Sequence, residues 1–190
     1  MNVVTTSNGS AAVSPEGVLA FWLEAGPDKW FKKDDAFDTA IRSRFLPAYE
    51  AAADGRLAAW EATADGALAL IILLDQFSRN MFRGSPRTFA ADPLALAIAN
   101  RAIARGFDEQ LELPKRSFFY LPFMHSENLA DQERCIDLCR RGGTEDNLKF
   151  AEQHAYIIRR FGRFPHRNAV LGRVTTEEEQ AFLDGGGFAG

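Results

Sequence analysis

Residues 67–77 read Ala-Leu-Ala-Leu-Ile-Ile-Leu-Leu-Asp-Gln-Phe, and this stretch decides the fold class of the 190-residue chain. Its apolar part, residues 67–74, is too short to cross a bilayer, which requires about 20 residues. Thr63 and Asp65 precede it and are typical of the start of a helix. A helix that is apolar almost all round is enclosed by other parts of the protein. The stretch therefore predicts a buried central helix.

Helix signals continue on both sides of this segment. The predicted starts are, in chain order, Ser14-Pro15, Asp34 or Asp35, Thr63, Asp92-Pro93, Thr144 and Thr175-Thr176, with a further helix after Pro114. Predicted ends lie near Pro47, Gly106 and Gly142-Gly143. Strand signals are absent, because no stretch alternates strictly and no Asn-Gly turn joins apolar runs. We predict an all-α fold of seven to nine helices in antiparallel hairpins.

The composition limits the classes of protein to which the chain can belong. Hydrophobic residues make up 46% and charged residues 25%, and the formal net charge is −4. These values are ordinary for a globular domain. They exclude a disordered chain, a collagen-like chain and a disulfide scaffold. Because the net charge is negative, no nucleic-acid partner is expected.

The chain is predicted to form one domain. Residues 1–13 are predicted to be a disordered tail without a secretory signal, 14–185 a single all-helical domain, and 186–190 a flexible C-terminal tail. Cys135 and Cys139 share a helix face and are expected to be buried, reduced thiols. These features predict a soluble, cytoplasmic protein that is not bound to a membrane, and they leave a homodimer open.

Three polar clusters stand beside apolar segments. The first ends the central helix and contains Asp75, Gln76, Arg79, Asn80 and Arg83. Asp75 and Arg79 are four residues apart and can pair on one helix face. The pair can simply hold helices together, or the two arginines can bind an anion at the floor of a cleft.

The second and third clusters contain all three histidines of the chain. His125 and Glu127 lie among aromatic residues, but adjacent residues do not by themselves form a catalytic triad. The members of the third cluster are His154, Arg163, His166, Arg167 and Asn168. Histidine suits proton transfer and arginine suits anion binding, although a histidine bonded within the core is an equally good interpretation. No nucleotide-binding, serine-hydrolase or zinc-protease motif is present, so neither a cofactor nor a metal is expected.

Four blocks occur in the order found in a known family. They are Trp30-Phe31-Lys32-Lys33-Asp34, Leu74 to Gly84, Tyr120 to Glu127 and Phe161 to Asn168. Over residues 16–184 the chain resembles the bacterial domain-of-unknown-function family 924, with Ser78 where that block has proline. The resemblance implies a tetratricopeptide-like α-α superhelix. It implies no activity, so no catalytic residue is carried over.

Three functions are compatible with these clusters. In the first, the clusters meet in one cleft that binds a small anion, with a histidine and a carboxylate available for general acid-base chemistry. In the second, the helical hairpins form a concave surface that binds an acidic peptide through the arginine-rich segment. In the third, the clusters are ion-pair networks that fix helix packing. The first is preferred, and whether it includes catalysis is left open.

Overall fold

A computed structural model describes residues 13–188, and every regular element in that range is helical. The α-helices are α1 (Pro15–Ala25), α2 (Pro27–Trp30), α3 (Asp35–Ala53), α4 (Ala64–Ile71), α5 (Ser78–Met81), α6 (Asp92–Ala104), α7 (Leu121–Met124), α8 (Leu129–Gly142), α9 (Glu145–Phe161) and α10 (Glu177–Asp184). A π-helical segment, Ile72–Phe77, joins α4 to α5 without a break. The described residues therefore contain nine continuous helices, which confirms the predicted all-α class.

Most helices start where the sequence predicts. The side chains of Ser14, Asp34, Thr63, Thr144 and Thr176 each accept a backbone N–H of the first turn. Such a cap satisfies a donor that has no partner within its own helix. These short polar residues set the boundaries between which the apolar helix faces pack.

Two predicted boundaries and one predicted cap were wrong. Pro47 does not end α3 but lies inside it, because the next turns bury Ala48 and Tyr49 in the core and outweigh the lost backbone hydrogen bond. Asp92 is the first residue of α6 rather than its cap, and its carboxylate binds arginines instead. The helix expected after Pro114 is divided into a 3₁₀ turn, Lys115–Phe119, and the short α7.

The central helix is buried as predicted. Every residue of Gly66–Phe77 is shielded from solvent, including Asp75 and Gln76. The helix packs between α1, α3 and α6. Complete burial of one leucine or isoleucine side chain stabilises a fold by roughly 1.5–3 kcal/mol, so this segment anchors the main core.

A second, smaller apolar cluster lies apart from the main core. Ile157, Ile158 and Phe164 form its buried centre. Phe161, Phe182 and Phe188 pack against that centre. This second cluster joins α9, the 3₁₀ turn Pro165–Arg167 and α10.

Part of the predicted tails lies outside the described residues, namely 1–12 and 189–190. Among the residues that the structure describes, no helix combines the length and the apolar character that a membrane crossing requires. Cys135 and Cys139 are buried and free, as predicted.

Candidate functional site

A buried carboxylate bonded to a histidine forms the centre of the candidate site. Asp75 is fully buried, and its Oδ1 lies 2.7 Å from Nδ1 of His125 and 3.1 Å from Nη1 of Arg79. Its Oδ2 accepts a 2.5 Å hydrogen bond from the amide of Gln76. The Asp75–Arg79 pair predicted from their spacing is therefore present, and it includes a histidine 50 residues away in sequence.

The π-helical segment explains how Asp75 reaches this position. A π-helix has a wider turn than an α-helix, so it changes the direction in which the following side chains point. Asp75 and Gln76 lie within this segment, whereas Arg79 lies in α5. The hydroxyl of Ser78 donates to the backbone carbonyl of Asp75 at 3.0 Å. Such segments often occur at functional sites, where they break helix regularity in exchange for a specific geometry.

Asp92 connects the two arginines of the site. Arg79 donates two 3.0 Å hydrogen bonds to the two carboxylate oxygens of Asp92, a bidentate pair. Nη1 of Arg167 lies 3.7 Å from Oδ2 of the same carboxylate. We call Asp75, Gln76, Arg79, Asp92, His125 and Arg167 the Asp–His–Arg cluster.

Arg167 is more buried than the neighbouring arginines Arg79 and Arg173. The whole residue is 7% exposed, and its guanidinium lies between the rings of Phe89 and Phe164, 4.5 Å from each centroid. Nη2 donates to the backbone carbonyl of His125 at 3.0 Å. Nε is buried and has no hydrogen-bond partner within the described residues. Arg167 therefore retains a donor for a further acceptor.

The electrostatics of the cluster favour an ionised Asp75 and a neutral His125. Burial alone would raise the pKa of Asp75, but Arg79 and His125 outweigh it and hold that pKa well below its usual range. Burial, and next the charge of Arg79, lower the pKa of His125, although Asp75 opposes them. Because an ionised carboxylate only accepts, Nδ1 of His125 carries the proton and Nε2 has a lone pair.

The other two histidines lie beside this cluster. Nδ1 of His154 lies 2.7 Å from the carbonyl oxygen of Phe150, and its ring packs against Phe164. Nδ1 of His166 is buried without a partner in the described residues. Burial, together with the charge of Arg167, lowers the pKa of His154 to about 4 and that of His166 to about 3. Both imidazoles are therefore neutral at neutral pH.

Four other predicted site residues make their side-chain hydrogen bonds outside the Asp–His–Arg cluster. Asn80 and Arg83 donate to the carboxylate of Asp38, at 2.7 Å and 2.5 Å, beside a separate cavity of about 240 Å³. Arg163 and Asn168 donate to Glu179, at 2.6 Å and 3.2 Å. Within the described residues, none of these four side chains makes a hydrogen bond to the Asp–His–Arg cluster.

Glu127 is bonded next to the cluster rather than within it. Its carboxylate accepts hydrogen bonds from Arg173 at 2.7 Å and 3.0 Å and from the backbone N–H of Phe164 at 2.8 Å. Although burial opposes it, the Arg173 hydrogen bond lowers the pKa of Glu127. Glu127 therefore fixes the turn that carries Phe164 and Arg167. Within residues 13–188 its carboxylate makes no hydrogen bond to the imidazole of His125.

Sequence reasoning missed two residues that shape the site. Asp92 was interpreted only as a helix cap, and nothing in its local sequence indicates two arginine partners. Gln132 of α8 is fully buried, and its amide donates to the carbonyl oxygens of Met124 and Ser126, at 2.7 Å and 2.6 Å. These two carbonyls flank His125, so Gln132 holds its backbone in place. A glutamine on the apolar face of α8 was the available signal.

Metal-binding groups do not converge here. Across residues 13–188, no set of three or more histidine, cysteine or carboxylate side chains has an arrangement that could hold a metal ion.

Comparisons with known proteins identify relatives without an assigned function. Residues 18–187 match the family described as bacterial protein of unknown function, DUF924. A solved structure of a protein of unknown function from Agrobacterium tumefaciens is 48% identical, with a TM-score of 0.87. The match covers 90% of this chain and 97% of that one. The comparison with curated proteins found no significant match.

Proposed function

This chain belongs to the bacterial family of unknown function DUF924, and we propose that it binds a small organic anion at the Asp–His–Arg cluster, where His125 acts as a general base or acid. One observation carries the proposal. The fully buried Asp75 orients an imidazole whose side chain is still 16% exposed. An oriented, neutral histidine next to two arginines is suited to removing a proton from a bound anionic molecule.

The two nitrogens of His125 have different roles in this proposal. Asp75 accepts the Nδ1 proton at 2.7 Å and so fixes one tautomer. Nε2 makes no hydrogen bond within the described residues, and its lone pair can accept a proton from a ligand. Asp75 would then stabilise the imidazolium that forms, because its carboxylate is ionised.

Arg167 supplies the anion contact. Its charge is only partly neutralised, since the nearest carboxylate, Asp92, is 3.7 Å away and is already paired with Arg79. Its buried Nε has no partner in the described part of the chain. Guanidinium groups bind carboxylates and phosphates through paired hydrogen bonds, so these are the two ligand groups that we propose.

An ion-pair network without function would account for part of this arrangement. It accounts for the Asp75–Arg79 and Arg79–Asp92 pairs, since buried charges require partners. It does not account for a π-helical segment at Asp75 or for an unpaired donor on Arg167. Both cost free energy, and a binding site supplies a reason to retain them.

The acidic-peptide alternative stays a prediction that no specific contact favours. Four arginines of the arginine-rich segment on which it relied pair with carboxylates of the chain itself. These pairs are Arg159–Glu133, Arg160–Glu178, Arg163–Glu179 and Arg173–Glu127. An acidic peptide would have to displace these internal partners.

A thermal-shift screen tests the proposed function. Wild type, Arg167→Lys and Arg83→Lys would be screened against small carboxylates and phosphate esters. Arg83→Lys is the matched control, because Arg83 pairs with Asp38 outside the cluster. A ligand at 100 times its Kd stabilises the fold by about 2.7 kcal/mol, which is readily measured.

The variants give distinct expected results in this screen. The ligand should shift the melting temperature of wild type and Arg83→Lys. The shift should be mostly absent in Arg167→Lys, because lysine keeps the positive charge but lacks the planar guanidinium that makes paired hydrogen bonds. A shift that Arg167→Lys retains would place the ligand elsewhere. If no carboxylate or phosphate stabilises wild type, the proposed function is wrong.

We also propose that the protein works in the cytoplasm. Cys135 and Cys139 are free and buried in the main core. A reducing compartment keeps such thiols unmodified.

A further inference from the structure

Phe188 covers the two histidines that the proposed chemistry does not use. Its ring centroid lies 4.5 Å from that of His154 and 5.4 Å from that of His166. Both contacts are edge-to-face, the geometry that aromatic rings prefer. Phe188 follows α10 after three consecutive glycines, Gly185 to Gly187. We call Gly185–Phe188 the glycine strap.

The path of the strap is specified by its glycines. Gly186 has a φ of +78°, and its N–H donates to the carbonyl of Leu183. The N–H of Gly187 donates to the carbonyl of Phe182 at 2.9 Å. These two bonds form a Schellman motif, a defined way to end a helix. The strap therefore leaves α10 in one direction, which delivers Phe188 to the histidines.

Gly187 also passes too close to its neighbours for any larger residue. A Cβ there would lie 2.5 Å from the carbonyl oxygen of Phe182 and 2.6 Å from its ring. An alanine would therefore push the strap away while leaving the ring of Phe188 chemically intact. The position offers a second, independent way to displace Phe188.

The covered histidines adjoin the Asp–His–Arg cluster. His154 and His166 both pack against Phe164, and the guanidinium of Arg167 lies 4.5 Å from the centroid of the same ring. The positive charge of Arg167, and that of His125 when it is protonated, both lower the pKa of His154 and of His166. A ligand that extends past Arg167 would meet the strap.

We infer that the glycine strap is a closing element that shields His154 and His166 and must move aside for a ligand that reaches them. The strap is attached by one ring and a short glycine segment, so its displacement leaves the main core intact. The claim that the strap controls access of a ligand rests on the proposed function. The claim that it shields His154 and His166 does not.

Histidine modification tests the strap without any ligand. Diethyl pyrocarbonate acylates neutral, accessible imidazoles, and peptide mass spectrometry gives a rate for each of the three histidines. The proteins would be wild type, Phe188→Ala, Gly187→Ala and a control, Phe31→Ala. Phe31 is 68% exposed, and its ring packs against Trp30. If the strap is open in about 10% of molecules or fewer, modification of His154 and His166 is at least about tenfold slower than with the strap displaced.

The result expected is a similar acceleration at His154 and His166 in Phe188→Ala and Gly187→Ala. The rate at His125 should stay unchanged, and Phe31→Ala should match wild type at all three. Equal rates at His154 and His166 in wild type and both strap variants would overturn the inference. So would wild-type rates at these two positions as fast as those of a free histidine peptide.

A second arm separates this inference from the proposed function. Inorganic phosphate or acetate added to wild type should slow modification of His125 if an anion binds at the cluster. Failure of that protection, with the strap result as expected, would contradict the proposed function alone. Protection of His125 with no effect of the strap variants would contradict the strap alone.

Discussion

The sequence predicts one partner for Asp75, and the structure gives it several. Its spacing from Arg79 predicted the ion pair that the structure contains at 3.1 Å. The contact with His125 spans 50 residues, and no helical spacing could predict it. Local periodicity determines which side chains share a helix face, whereas contacts between segments depend on the packing of the whole domain.

Replacing the buried carboxylate should be costly. Asp75→Asn removes the buried negative charge that contacts both Arg79 and His125 and leaves Arg79 only Asp92 as a partner, so the free energy of unfolding should fall by about 3 kcal/mol. Urea denaturation of wild type and variant measures this loss. Asp137→Asn is the control, because Asp137 is 72% exposed and should change stability by less than about 0.5 kcal/mol. Equal loss in both variants, or none in Asp75→Asn, would contradict the described burial.

His154 should make the protein sensitive to mild acid. Its pKa is about 4 in the folded state and about 6.5 when unfolded, so the unfolded state binds more protons between these values. The free energy of unfolding should therefore fall as pH drops from 6.5 to 4, by about 3 kcal/mol from this residue, since one pKa unit corresponds to about 1.4 kcal/mol. His125 and His166 act with the same sign.

His154→Gln isolates that contribution. Its free energy of unfolding should depend less steeply on pH than that of wild type between pH 6.5 and 4, and chemical denaturation across this range measures both slopes. Parallel curves for the two proteins would show that His154 titrates normally in the folded state.

The central helix shows what an element requires beyond its apolar residues. Gly66 lies in its first turn, where a Cβ would be 2.0 Å from the backbone oxygen of Trp60. Gly17 occupies a comparable place in α1, but a Cβ there would meet only the hydroxyl of Ser14 at 3.6 Å. The two glycines look alike in sequence, and only the packing distinguishes them.

Alanine at these two glycines should therefore have opposite effects. Gly17→Ala should stabilise the protein by up to about 1 kcal/mol, the difference in helix propensity. Gly66→Ala should destabilise it, because the backbone of Trp60 cannot move away cheaply. Melting temperatures of the two variants test this pair, and a gain in stability for Gly66→Ala would mean that the turn before α4 is wrongly placed.

The elements could be predicted more completely than the site. Short-range signals such as Ser14, Thr63 and Thr144 correctly located helix starts, because capping depends on residues within one turn. Pro47 misled the prediction, since burial of the following turns outweighs a local helix-breaking preference. The π-helical segment left no recognisable pattern in the sequence, and it positions Asp75.

Over the whole molecule, the site depends on three segments that are distant in sequence. The central helix supplies Asp75, His125 directly follows α7, and the turn after α9 supplies Arg167. These three residues, one from each predicted cluster, are linked through hydrogen bonds of His125, whereas a shared ligand cleft stays a prediction. Asn80, Arg83 and Arg163 instead pair with Asp38 and Glu179, because their carboxylate partners lie on other elements.

The two apolar clusters should open independently. Glu179 is 2% exposed and accepts hydrogen bonds from Arg163, Asn168 and the backbone of Thr176, so it fixes α10. Glu179→Ala should increase amide hydrogen exchange in residues 157–188 and leave the central helix protected. Glu178→Ala, an exposed neighbour paired with Arg160, is the control. An equal increase in the central helix would indicate one cooperative core.

The decisive measurement is nitrogen-15 NMR of the His125 imidazole, titrated with pH. We expect that Nδ1 carries the proton at neutral pH, that Nε2 is unprotonated, and that the pKa of His125 lies below the ordinary value of about 6.5. An imidazole that is protonated at Nε2, or that titrates at or above about 6.5, would contradict the assignment of His125 as a base oriented by Asp75.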